Sequence, residues 1–112
     1  MDLTQLEKDI LEWFASKSDS AALKEQCASA SVLSREHTGV GLFVQLSCPA
    51  SCKLADFGCA PNAPQISSSQ LPLGASVDLW LESGRLSHLE FVSFGESQFP
   101  QASFPYKLVS EL

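Results

Sequence analysis

The chain has 112 residues, with 13 acids against 7 bases for a formal charge of −6, and hydrophobic residues make up 45% while charged ones make up 18%. That charged share lies below the ~25% of an average soluble protein, which excludes wholesale disorder and fits one packed domain over residues 1–112. An acidic chain without a Lys/Arg cluster lacks the electrostatic footprint for nucleic acid or an anionic membrane, so neither is expected as a partner.

No window approaches the ~18 uninterrupted apolar residues needed to cross a bilayer. Asp2, Glu7 and Asp9 stand where a signal peptide would carry basic residues, so a cytoplasmic protein is expected. Cys27, Cys48, Cys52 and Cys59 are then read as reduced thiols.

In chain order, Leu3, Leu6, Ile10, Trp13 and Phe14 recur at helical spacing among Glu7, Lys8, Glu12 and Lys17, which predicts an amphipathic helix. Thr4 with Glu7 three positions later has capping-box spacing. Ser18, Asp19 and Ser20 are alternative N-caps for a second helix from Ala21 to Cys27, whose thin apolar face must lean on something. Residues 1–29 therefore read as a helical hairpin. Residues 31–48 read as strands, with Val40, Leu42, Val44 and Leu46 on one face by alternation. Gly39 either closes a hairpin or marks a bulge in one long strand, and the hairpin is preferred.

Residues 49–74 carry Pro49, Pro61, Pro64 and Pro72 with a serine run at Ser67 to Ser69, and read as a long loop with room for a short strand around Leu54 to Phe57. Residues 75–94 give a β-hairpin, and residues 95–112 an extended C-terminal segment. A two-residue turn at Ser83-Gly84 mixes apolar and charged partners. A three-residue loop, Glu82-Ser83-Gly84, puts Val77 opposite Leu89, Leu79 opposite Ser87 and Ala75 opposite Phe91, which segregates the faces and is the register expected. The predicted fold is α+β, a helical hairpin packed on one face of a four- to five-stranded antiparallel sheet.

In that register Val77, Leu79, Leu81, Leu89 and Phe91 face the helices. Asp78, Trp80, Leu86, His88, Glu90, Val92 and Phe94 face the other way, joined by Phe43 and Gln45. Each aromatic buries roughly 150 to 250 Å², so Phe43, Trp80 and Phe94 match or exceed the ~300 to 600 Å² of the largest patch on a typical monomer. The proline-containing middle, the C-terminal run from Phe99 to Tyr106, or another protein must cover them. The reading that follows is a non-enzymatic binding module, with Phe43, Trp80, Leu86, Val92 and Phe94 as anchors and Asp78, Glu82, Glu90 and Glu96 as an acidic rim. It would act as a homodimer or as an inhibitor or immunity-like binder of a basic protein.

The alternative is a small hydrolase or ligand-binding enzyme centred on His88, with Asp78 across from it and Glu90 two positions along. No nucleophile or oxyanion motif accompanies that trio, and His37 beside Glu36 reads as a solvated loop histidine. Cys48, Cys52 and Cys59 lack the short, repeated spacing of a zinc site, and P-loop, HExxH and GxSxG motifs are missing, so no metal or cofactor is expected.

Two stretches, Arg35-Glu36-His37-Thr38-Gly39-Val40-Gly41-Leu42-Phe43 and Gly84-Arg85-Leu86-Ser87-His88-Leu89-Glu90-Phe91 running to Phe99-Pro100, resemble small uncharacterised bacterial proteins. Their pattern is a basic-acidic-aromatic-Thr-Gly-Val-Gly strand followed by a Gly-x-x-x-x-Leu-Glu strand. His37 stands where that pattern has an aromatic residue, and the cysteine-bearing middle has no counterpart. The resemblance implies an α+β fold of the kind found on mobile bacterial DNA, with no established activity and no site residues.

Overall fold

In the computed structural model, which describes residues 2–110, the first helix starts where its capping residues put it. Helix α1 (Gln5–Lys17) follows Thr4, whose hydroxyl accepts from the Glu7 N–H at 3.2 Å while the Thr4 N–H donates to Glu7 Oε1 at 2.8 Å. Leu6, Ile10, Leu11 and Phe14 are buried along one side. Helix α2 (Ala21–Ala28) is capped by Ser20, the last of the three candidates. Its thin apolar face is supplemented by a buried amide. Gln26 donates through Nε2 to the carbonyls of Lys53 (2.7 Å) and Gly84 (2.9 Å) and accepts at Oε1 from the Leu86 N–H (2.9 Å). One side chain thereby satisfies three polar groups from two separate stretches of backbone, one at Lys53 and one from Gly84 to Leu86.

The strands are β1 (Ser31–His37), β2 (Gly41–Ser47), β3 (Gln65–Ser68), β4 (Leu71–Glu82), β5 (Arg85–Ser93) and β6 (Lys107–Val109), with a 3₁₀ turn at Phe94–Glu96. They form one antiparallel sheet in the order β1-β2-β5-β4-β3-β6. The helices pack on one face, where Val44, Leu79, Leu89 and Phe91 join Ile10, Phe14 and Leu23 in the core. The β1–β2 connection is the expected hairpin, closed by the Thr38 N–H on the Gly41 carbonyl at 3.0 Å. Gly41 must lack a side chain, because a Cβ there would collide with the Phe91 carbonyl oxygen.

Six strands replace the expected four to five. The extra pairing comes from β3, β6 and an earlier start of β4 at Leu71, within stretches expected to be loop or merely extended. Residues 111–112 of that C-terminal stretch, like Met1, lie outside the described residues. The strand allowed around Leu54 to Phe57 does not form. Instead the chain touches the edge of β4 at one bridge, Cys59 with Trp80, where the Leu81 N–H donates to the Gly58 carbonyl (2.7 Å) and the Ala60 N–H to the Leu79 carbonyl (2.9 Å). Pro61 follows and has no N–H with which to extend the ladder.

The β4–β5 register also differs from expectation. The turn is the two-residue Ser83-Gly84, with φ of 52° and 81°, and Glu82 pairs with Arg85 and Leu81 with Leu86. One step on, Ser87 is left out of the pairing, so Trp80 pairs with His88, Leu79 with Leu89, Asp78 with Glu90, Val77 with Phe91 and Ala75 with Ser93. That bulge resolves the conflict of faces which counted against a tight turn, because it shifts parity inside the strand. Leu86 and Leu89, three apart, consequently both face the helices. Leu86 is 5% exposed and does not belong to the outer face where alternation had put it.

Neither irregular segment crosses to that outer face. The middle segment is tied to the helices by the Gln26 bonds and by the Trp13 indole N–H on the Asn62 carbonyl (2.9 Å). The C-terminal one buries Phe99 against Phe91, with ring centroids 5.5 Å apart, and its Tyr106 hydroxyl donates to Asp9 of α1. Replacing Gln26 by Leu leaves the buried Leu86 N–H without its acceptor and the Lys53 carbonyl without the amide donor, while the Gly84 carbonyl keeps the Ala55 N–H, and should cost about 1–3 kcal/mol in urea unfolding. Glu25→Ala, which removes an exposed bond to the Lys53 N–H, should cost below about 1 kcal/mol.

Candidate functional site

With both irregular segments drawn to the helical side, the outer face is left as rows of side chains set by strand register. One row reads Glu36, Phe43, Glu90 and Asp78 across β1, β2, β5 and β4. The next reads Ser34, Gln45, His88 and Trp80. Among the described residues these two rows hold no lysine or arginine. Val92 and Phe94 continue the face toward the end of β5, and with Trp80 they are 37–38% exposed, high for such large apolar groups.

The aromatic groups form a ladder. The Phe43 and His88 rings stack with centroids 4.2 Å apart, and Trp80 lies on the other side of His88 at 6.2 Å. His88 is thus sandwiched between two apolar rings, and its Nδ1 pairs with the Ser87 hydroxyl at 3.1 Å. Burial lowers its pKa below the ordinary value, against the opposing pull of Glu90 and Glu82. Asp78 and Glu90, paired directly across the strands, put like charges side by side, an arrangement that works against sheet stability.

This placement separates the residues of the enzymatic alternative. Asp78 lies opposite Glu90 rather than His88, and His88 lies opposite Trp80, so the direct cross-strand pairing of Asp78 with His88 expected from the sequence does not occur. Of the predicted anchors, Phe43, Trp80, Val92 and Phe94 share the outer face and Leu86 does not. Two neighbours of the ladder went unnoticed in the sequence. Glu36 joins the acidic row through the parity of β1, and Cys59 reaches Trp80 through a bridge with no sequence signal.

The four cysteines are free thiols, of which Cys27 and Cys48 lie near one another. Cys27 is buried, and burial, with the nearby Cys48 adding to it, pushes its pKa up to about 12, while Cys59 is raised by burial and by Asp78. Among the described residues no group of three or more His, Cys, Asp or Glu is placed to hold a metal ion, and no helix is long and apolar enough to cross a membrane. No protein-family model, curated protein or solved structure matches the chain, so what the site does is read from its own geometry.

A histidine whose folded pKa is depressed takes up its proton first in the unfolded chain. The stability contributed by neutral His88 is therefore complete above its ordinary value of 6.5 and is lost as pH falls from there through the folded pKa. An NMR titration should place the His88 midpoint below 6.5, and His88→Phe should remove this part of the acid-side loss of stability in urea unfolding.

Proposed function

We propose that the chain is a non-enzymatic binding module whose docking surface is the outer sheet face, and that its partner is a protein with a basic, arginine-bearing surface. The observation that carries this reading is the Phe43–His88–Trp80 ladder, open to solvent and flanked by Glu36, Glu90, Asp78 and Glu82. Stacked rings at the centre of a face supply the flat apolar anchors typical of binding hot spots, and guanidinium groups lie well on such rings. Neutral His88 adds a ring without adding a repelling positive charge.

The acidic row decides between partners. In a symmetric dimer the same patch meets itself, bringing the carboxylates of both copies together, whereas a basic surface answers them. The hydrolytic alternative rests on Asp78 standing directly across from His88, and the register puts Glu90 there in place of His88.

The reading is tested with an alternating Arg-Gly peptide. NMR shift changes should cluster at Phe43, the Trp80 indole, His88 and Glu90. Trp80→Ala should weaken binding by thirtyfold or more, equivalent to about 2 kcal/mol, and Glu90→Gln by about tenfold. Glu12→Gln, the same change of charge on the exposed side of α1, should change it less than twofold. Light scattering should give a monomer mass across a dilution series. Shifts spread over the acids of α1, equal losses in Glu90→Gln and Glu12→Gln, or a dimer dissolved by Trp80→Ala would each overturn a basic partner.

A further inference from the structure

We propose that the helical side of the sheet holds a second, separate site: a cavity between the first turn of α1 and residues 99–106 that takes one uncharged aromatic molecule. The cavity measures about 490 Å³, within the ~300–1,000 Å³ usual for small-molecule sites. Its apolar wall is made by Leu6 of α1, Leu42 of β2, and Phe99 and Phe104 of the C-terminal segment. On the β1 side the lining is Arg35 and His37.

Two features select the ligand. The first is ring geometry. Phe99 and Phe104 meet edge to face, with centroids 5.8 Å apart and planes at 85°, and Tyr106 continues the chain 5.7 Å further on. Rings arranged in this way present both faces and edges to a third ring, which is how aromatic groups pack best.

The second is charge. The ionised pair in the wall is Glu7 with Arg35, joined by two contacts of 2.7 Å, and the Thr4 N–H supplies a further bond to the same carboxylate. Burial by itself would raise the Glu7 pKa, but the bonds and charge of Arg35 together with the Thr4 N–H outweigh it and hold the group below its ordinary value. Both members stay charged and answer one another. An ionic ligand would give up its hydration there for no counter-charge, which is unfavourable. One polar substituent can be met by the exposed His37, Gln101 or Ser103.

The covering segment is held at its ends rather than along its length. The Phe99 N–H donates to the Gly39 carbonyl at 2.9 Å, and the Ser68 hydroxyl donates to the Pro105 carbonyl at 2.6 Å. Gln101, Ala102 and Ser103 between them are exposed. Ala102 and Ser103 line the cavity and are exposed, so a larger side chain at either can occupy cavity space without disturbing a buried contact.

The test uses N-phenyl-1-naphthylamine, a neutral aromatic probe that fluoresces in apolar surroundings, against its anionic relative 1-anilinonaphthalene-8-sulfonate. The neutral probe should bind saturably at one per chain, and the anionic one at least tenfold more weakly. Ala102→Trp and Ser103→Trp should each weaken the neutral probe at least tenfold, while Trp80→Ala on the other side of the sheet should change it less than twofold. In the unaltered chain, NOEs from the probe should reach the Leu6 and Leu42 methyls, which locates it without any substitution. Absence of saturation, equal binding of the anionic probe, loss in Trp80→Ala but not in the filled variants, or NOEs to Val92 in place of Leu42 would overturn the proposal.

Discussion

The arrangement depends on one buried amide. Gln26 is fully buried on α2 and holds the carbonyls of Lys53 and Gly84 and the N–H of Leu86 at once, so the short helix, the start of the middle segment and the β4–β5 turn are locked together. Without it α2 would bring only Ala22, Leu23 and Cys27 to the core, too little apolar area to fix an eight-residue helix that is marginal alone. Gly84 belongs to the same junction. Its φ of 81° suits the tight turn, and a Cβ there would lie 2.8 Å from the Ala55 carbonyl oxygen, so the middle segment can approach only because no side chain intervenes.

Geometry explains why the irregular segments are needed on the helical side. Across six strands the sheet measures about 24 Å, which two helices packed about 10 Å apart can nearly span. Along the strands the match is poor. With 8 residues α2 is about 12 Å long, against about 40 Å for the 12 residues of β4. The uncovered length is closed by Phe99, Phe104, Tyr106 and the segment carrying Cys52 and Ala60, all buried or partly buried against the core. Once those stretches are committed inside, no described part of the chain remains to lie over Phe43, His88 and Trp80.

Features set by local chemistry were legible in the sequence: the Thr4–Glu7 cap, the hairpin at Gly39, and the parity that sends Val77, Leu79 and Leu81 inward and Trp80 outward. Features set by contacts between distant segments were not. A bulge at Ser87 costs one residue and leaves no compositional mark, so Leu86 was assigned to the wrong face and His88 to the wrong partner. Strands β3 and β6 are too short to show alternation, and Ile66 is the one apolar residue that β3 turns inward. The cavity depends on where the C-terminal segment lands, which periodicity does not encode.

Strand parity also separates the two proposed surfaces. Leu42 lines the cavity while its neighbour Phe43 stacks on His88 outside, and Arg35 binds Glu7 within while Glu36 stands in the acidic row. Each of these outer side chains has a chain neighbour packed on the closed, helical side. The cross-strand meeting of Asp78 and Glu90 fits the same division of labour. Like charges stand there on a sheet whose apolar core lies on the opposite side.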